Sequence, residues 1–314
     1  MKHVSIIIVN YNALQMTCDC ISSIVKETKF LNYEIIIVDN GSVVDNYDEI
    51  LVLFPFVKVI RNKANLGFAA SNNRALSDIE GKYILFLNND TLFIEDSLSK
   101  IFNYAEQFNF PLFLSCQLLN EDKSNQETVV EFPSVWNGFT ENFFLYKVFP
   151  KSKIFNKYYQ NNHTYTEPIE VDVIRGAFMF CTAKAIKDLG GFDERFFFYS
   201  EETDLCYRLK KSGGKIILFP GTSIIHLGGI TTDKNLWFKF KNQTLGKILF
   251  YQKHFKGIHF IEALIIHFAG LLMRGVLFTV FGLLMLRKNL IVKGYYFFRQ
   301  LTVLPKNIFK PTGS

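Results

Sequence analysis

Residues 83–91 read YILFLNNDT, an apolar run that breaks off in two amides and a carboxylate. Asn and Asp end strands readily, because their side chains hydrogen-bond nearby backbone in turns. The neighbouring segments give this strand end a wider meaning. VSIIIV (4–9) and EIIIV (34–38) are short β-branched runs of the kind buried on both faces of a sheet. Between them Leu14, Cys18, Ile21, Ile24 and Val25 recur at helical spacing. VKVIRN (57–62) is a third strand, followed by NLGFAASNNRAL, a loop that enters a helix. Strands alternating with helices predict an α/β fold with a mainly parallel central sheet and flanking helices.

Such sheets bind ligands outside the carboxyl ends of their strands. Three polar clusters fall at those ends: Asn10-Tyr11-Asn12, Asp39-Asn40-Gly41-Ser42 and Asn88-Asn89-Asp90. Each alone reads as a turn, and together they suggest one polar rim. Residues 111–170 are irregular, aromatic and Asn-rich, and are expected as loops or an insertion over that rim. Strand and helix signals return in VDVIRGAFMFCTAKAI, GGFDERFFFYSEETDLCYRLKKSGG and KIILFPGTSIIHLGG.

The 314 residues are 49% hydrophobic, enough for a sizeable core. Five cysteines without CxxC spacing predict reduced, buried thiols in a cytosolic setting. Lys2 leads directly into VSIIIVN, so no secretory leader is expected. No GxGxxG or GxxxxGK[ST] pattern occurs, which argues against nicotinamide and ATP chemistry. Charge is divided unevenly along the chain. Residues 234–314 hold 13 Lys and Arg against the one acid Glu262, a net +12, while the other 22 basic and 28 acidic residues leave −6. An acidic front part argues against a nucleic-acid footprint spread over the whole molecule, and a basic, Phe-rich tail suits either nucleic acid or an anionic membrane.

The ordered set IIIVNYN, VDNGS, NLGFAASNN, FLNNDT, RGAFMF, GGFDERFFFYSEETDLCYR and IIHLGG, over roughly residues 3–255, resembles glycosyltransferase family 2, most of all its rhamnosyltransferase-like bacterial members. The resemblance implies a GT-A fold and transfer of a sugar from a nucleotide diphosphate donor with inversion at the anomeric carbon. It implies Asp90 and His226 as ligands of Mg²⁺ or Mn²⁺, against the plainer readings of a turn Asp and a structural His. The family's usual Asp-x-Asp has Asn at its first position here, Asn88, which can bind donor but brings no charge. The family's base is the second acid of a Glu-Asp pair. That position is Glu202, one methylene longer, with Glu201 beside it as the other candidate. Acids in a first helical turn also suit the macrodipole, and Asp204 with Arg208 predicts an ordinary i, i+4 ion pair. Asn10, Tyr11, Asp39, Asn65, Gly67 and Asn72 are implied on the donor side. Arg175 and Gly176 fall on the acceptor side, with Arg175 either meeting an acceptor phosphate or forming a structural ion pair.

Residues 263–286 are apolar enough to span a bilayer but carry Arg274 and His267. Two amphipathic or re-entrant helices in the membrane interface explain both the breaks and the charge. The alternative is a helical hairpin that packs on the catalytic part or makes a homodimer. The expected organisation is residues 1–233 as a GT-A catalytic domain, with a nucleotide-sugar half to about 110 and an acceptor half from 111, then 234–314 as the helical C-terminal region. The expected function is transfer of a sugar, best read as rhamnose from dTDP-rhamnose, to a lipid-linked saccharide in surface polysaccharide synthesis (such as O-antigen). The expected place is peripheral, at the cytoplasmic face of a bacterial inner membrane. The alternatives are a nucleotidyltransferase, which would normally show a glycine-rich basic loop where VNYNAL stands, and a non-catalytic sugar-nucleotide-binding protein.

Overall fold

The computed structural model describes residues 2–44, 48–158, 165–228 and 235–303. The expected boundary at 233/234 and Gly229 of the HLGG motif lie outside the described residues. The described chain divides into two compact units. One holds residues 2–44, 48–130, 165–197 and 201–228, the other 131–158, 198–200 and 235–303.

The first unit opens β1 (Val4–Asn10), α1 (Leu14–Glu27), β2 (Tyr33–Asp39), α2 (Asp48–Leu53), β3 (Lys58–Arg61), α3 (Phe68–Ala75) and β4 (Tyr83–Asn88). The four strands lie parallel in the order β3-β2-β1-β4, as the alternation predicts. Ile6, Ile8, Ile35, Ile37 and Leu85 are fully buried with Ile21 and Ile24 of α1. A strand apolar on both faces is stable only with cover on each side, which the crossover helices supply.

Beyond β4 the sheet is mixed. The chain continues through β5 (Thr91–Phe93), α4 (Ser97–Ala105), β6 (Leu112–Leu119) and β7 (Val129–Val130). After the intervening helices of the second unit come β8 (Ile169–Glu170), β9 (Val173–Ile174), β10 (Phe178–Thr182), α7 (Ala183–Asp188), α8 (Glu201–Lys211) and β11 (Lys215–His226). β10 inserts antiparallel between β4 and β6, β11 runs parallel to β6, and β5 and β8 pair antiparallel with β11. β7 and β9 form a separate small pair.

This corrects the expectation for residues 111–170. LFLSCQLL (112–119) is an embedded strand whose Leu112, Phe113, Leu114, Cys116 and Leu118 are buried. A short apolar run flanked by polar, aromatic segments carries no period that separates strand from loop, and its neighbours come from distant sequence.

The second unit is helical: α5 (Val135–Asn142), α6 (Leu145–Val148), α9 (Leu236–His254), α10 (Ile258–Leu284) and α11 (Lys288–Gln300). Residues 131–158, placed by sequence in the acceptor half, group with the C-terminal helices. α10 and α11 pack as a hairpin through glycines. A Cβ on Gly294 would stand 2.3 Å from Thr279 Oγ1, and one on Gly275 2.8 Å from the Phe298 ring. The polar breaks in α10 turn toward α5 and α9. Arg274 donates to the main-chain oxygen of Glu141 at 2.6 Å, and burial pulls the His267 imidazole down to about 3, leaving it neutral. All five cysteines are buried free thiols.

Candidate active site

Asn10, Asp39 and Asn88 end β1, β2 and β4 at one level: Asn10 pairs with Asp39 across the parallel ladder, and Val9 with Asn88. The three polar clusters therefore form one rim. Asn10 is fully buried, accepting from Thr17 at 2.7 Å and Asn89 at 3.0 Å and donating to Ser42 at 3.3 Å. It ties together the loops after β1, β2 and β4 while Tyr11, 37% exposed, stands at their surface. Asp39 accepts the Ser42 amide at 3.1 Å through Oδ1, and its other oxygen takes no hydrogen bond among the described residues.

Asn40, outside the predicted set, anchors the NLGFAA loop. Its Oδ1 accepts from Leu66 N at 2.9 Å and Asn62 at 3.1 Å, and its Nδ2 donates to Asn65 Oδ1 at 2.9 Å. Asn65 Oδ1 also accepts the Gly67 amide at 2.9 Å, so Asn65 and Gly67 shape this loop internally. Asn72 is buried and donates to Phe68 O within α3. Gly67 has φ +85°, and a Cβ there would lie 2.3 Å from the main-chain oxygen of Phe197. Backbone on both sides leaves no room to yield, so Gly67→Ala lowers stability by more than about 2 kcal/mol. In a thermal melt the midpoint falls by roughly 5 °C or more, and an unchanged midpoint refutes the clash.

The turn after β4 aims Asp90. Thr91 Oγ1 bonds Asn88 O at 2.8 Å, and β5 then pairs with the end of β11, opposing Thr91 to His226. Leu227 N donates to Asp90 O at 2.9 Å, holding the two ends together. β11 reaches this point through a bulge between Phe219 and Ser223, braced by Glu95, which accepts from Thr222 Oγ1 at 2.6 Å and Ser223 N at 3.0 Å. Asp90 Oδ1 consequently lies 3.3 Å from His226 Nε2, and Asn88 Nδ2 3.4 Å from the same nitrogen. Oδ1 is nevertheless buried without a hydrogen bond. Adjacent ligands of an octahedral cation at about 2.1 Å stand about 3 Å apart, so this carboxylate and imidazole suit one ion. Among the described residues no group of three or more His, Cys, Asp or Glu gathers, so two protein ligands would leave the remaining positions to diphosphate and water.

Across the unit, α8 begins at Glu201. Glu201 is 6% exposed, and its Oε2 is buried without a partner. Burial, reinforced by the neighbouring Glu202 charge, pushes its carboxyl well above the usual range. Glu202 is half-buried and lies against Gly176, where a Cβ would sit 3.7 Å from that of Glu202. Arg175 pairs with Glu127, the structural alternative raised by the sequence. Desolvation lowers its guanidinium pKa, and the Glu202 charge opposes that shift. Asp204 and Arg208 form the predicted ion pair at 2.8 Å, and Arg208 also clamps the main-chain oxygens of Leu189 and Gly191.

Sequence reasoning missed Gln126. The turn over residues 120–125 returns the chain so that Gln126 N bonds Leu118 O at 2.9 Å, beside the end of β11. Its Oε1 then lies 2.6 Å from His226 Nδ1. A polar residue in a loop, a hundred positions from its partner, leaves no periodic or spacing signal.

The family model of Glycosyl transferase family 2 matches residues 5–181. Rhamnosyltransferase WbbL of Escherichia coli is 31% identical over 168 residues, 51% of this chain and 60% of that protein. The N-acetylglucosaminyl-diphospho-decaprenol L-rhamnosyltransferase of Mycobacterium tuberculosis is 24% identical over 214 residues, 64% of this chain and 68% of that protein. Among solved structures, GalNAc-T7 with UDP, GalNAc and Mn²⁺ superposes with TM-score 0.53 and 15% identity over 80% of this chain and 50% of its own. S. aureus TarS superposes with TM-score 0.50 and 14% identity over 85% of this chain and 43% of its own. These two likenesses show the fold, a GT-A sheet with flanking helices. With the family model covering more than half of the sequence, and a rim of strand ends as its setting, the chain belongs to glycosyl transferase family 2.

Proposed function

We propose that the chain is an inverting, metal-dependent glycosyltransferase that moves rhamnose from dTDP-rhamnose to a lipid-linked saccharide in surface polysaccharide synthesis. The observation that carries this reading is the juxtaposition of Asp90 Oδ1, buried and without a hydrogen bond, with His226 Nε2 at 3.3 Å on the rim. The choice of rhamnose is supported by the two rhamnosyltransferase relatives.

Asp39 accepts the imide N–H of the donor's base through its second oxygen, and Tyr11 covers the base. Asp90 and His226 would hold Mg²⁺ or Mn²⁺, and Asn88, whose Nδ2 lies beside His226 Nε2, would bind the donor next to them. When bound, the cation neutralises the charge that grows on the departing diphosphate. Glu202 takes the proton from the acceptor hydroxyl as that oxygen attacks the anomeric carbon; the bond to phosphate breaks on the opposite face, and the nucleoside diphosphate leaves. Glu202 suits this better than Glu201, whose carboxyl is sealed in and favours its neutral form. Arg175 and Gly176 flank Glu202 on the acceptor side.

Residues 1–233 serve as the catalytic part, divided near residue 110, and 234–314 as the part that meets the membrane. The hairpin has an exposed apolar stripe, Ile258, Ile261, Ile265, Leu272, Val276 and Val280, ending in Leu283, Leu284, Met285 and Leu286 beside exposed Arg287 and Lys288. α10 is long and apolar enough to cross a membrane, but its other face is buried on α5 and α11. A peripheral seat on an anionic leaflet at the cytoplasmic face of the bacterial inner membrane fits both faces. Leu284→Asp with Leu286→Asp lowers binding to phosphatidylglycerol vesicles at least about tenfold. Binding that survives these changes, or a dimer that they dissociate, refutes the membrane seat.

The donor is tested by thermal melts with a panel of nucleotide sugars. At 100 times its Kd a true donor adds about 2.7 kcal/mol, a rise of roughly 5–10 °C. The expected result is a rise with dTDP-rhamnose that requires Mn²⁺ or Mg²⁺, followed by dTDP release when a lipid-linked acceptor is added. No rise with any nucleotide sugar overturns the reading.

A further inference from the structure

We infer that Gln126 is the positioning residue of the cation site: it fixes which ring nitrogen of His226 carries the proton and so presents Nε2 to the metal. The inference rests on the reading of Asp90 and His226 as ligands.

The orientation of the Gln126 amide follows from its partners. Its Nε2 donates to the main-chain oxygen of His226 at 3.0 Å, an atom that only accepts. The same nitrogen donates to Asn120 Oδ1 at 3.0 Å, and Asn120 is oriented in turn because its Nδ2 donates to Ser124 Oγ at 2.9 Å and Asn125 O at 3.4 Å. Oε1 is therefore the atom that faces His226 Nδ1 at 2.6 Å. An amide oxygen has no proton to give, so Nδ1 carries the hydrogen. In the neutral ring this leaves a lone pair on Nε2, the nitrogen facing Asp90 Oδ1 at 3.3 Å. Two lone-pair atoms at that separation repel unless a proton or a cation lies between them.

Gln126 thus grips one residue at both ends, ring and carbonyl, and its own backbone is held by Leu118 O through its amide. Rotation of the imidazole breaks the Nδ1 bond, and exchange of tautomers leaves Nδ1 and Oε1 as two facing acceptors. Partners of this kind on the far nitrogen of a metal-bound imidazole typically change metal affinity 10–100-fold when removed.

The test is Mn²⁺ affinity of the purified full chain by electron paramagnetic resonance, for wild type, Asp90→Asn, Gln126→Leu and Gln126→Glu. It is paired with ¹⁵N shifts of the His226 ring in metal-free wild type, assigned with His226→Ala. Expected are Mn²⁺ binding that Asp90→Asn weakens, a 10–100-fold loss in Gln126→Leu, and retention within about tenfold in Gln126→Glu, which keeps an acceptor at Nδ1. The metal-free ring is expected as the Nδ1–H tautomer. A role in packing alone predicts equal losses in the two Gln126 variants and overturns the inference. Wild-type affinity in Gln126→Leu, or an Nε2–H ring in wild type, overturns it while the ligands stand. Absence of any Mn²⁺ binding that Asp90→Asn weakens removes the ligand reading and Gln126 with it.

Discussion

Glu202→Gln lowers the turnover of sugar transfer by roughly 10²–10⁴-fold and leaves the donor Kd within about threefold. The amide keeps the size of the side chain and its contact with Gly176, so loss of a proton acceptor is the intended change. Glu201→Gln is the control, expected to keep activity within about tenfold. Its effect falls on stability instead. Burial and the Glu202 charge raise the folded-state pKa of Glu201 above its unfolded value. From the unfolded pKa upward, the unfolded chain releases a proton that the folded chain retains, so this carboxyl's contribution to stability declines as pH rises. Gln does not titrate, so the melting temperature of Glu201→Gln gains on that of wild type as pH rises above the ordinary carboxylate range. A slow Glu201→Gln beside an active Glu202→Gln would move the base to Glu201.

Asp90→Asn weakens Mn²⁺ binding by about a hundredfold or more, near 3 kcal/mol for one carboxylate on a divalent ion, and transfer falls with it. Stability should move the other way. Asp90 Oδ1 is buried with no hydrogen bond, so a neutral amide removes an unsatisfied charge and the metal-free variant melts no lower than wild type. Lost activity with retained or raised stability marks a residue held for a ligand rather than for folding. EDTA should bring wild type to the level of Asp90→Asn. A variant that transfers at the wild-type rate, or a wild type indifferent to EDTA, removes the cation from the reaction.

The parallel half of the sheet was readable because β1, β2 and β4 are continuous β-branched or apolar runs separated by a helical period, and their polar ends were visible as three clusters. Their level alignment was a consequence of parallel pairing. β6 was not readable: a mostly apolar run of eight residues interrupted by Ser115 and Gln117 has no clear period, and its partners β10 and β11 lie some 60 and 100 positions away. Asn10 and Asn72 carry contacts that the sequence did not show: both are buried, Asn10 bonding across three loops and Asn72 within its own helix.

Sequence by itself determined the chemistry available: one carboxylate after FLNN, a paired acid opening a helix, a histidine closing an apolar run, and a tail with +12 of net charge. Those are properties of local pattern and composition, which the chain carries wherever it folds. Only tertiary structure decided that Asp90 and His226, 136 positions apart, meet at 3.3 Å, that Gln126 orients the imidazole, and that Glu201 is sealed while Glu202 is half-buried against Gly176. Each depends on strand register and on which atoms lose water, and both arise from long-range packing that no window of sequence contains.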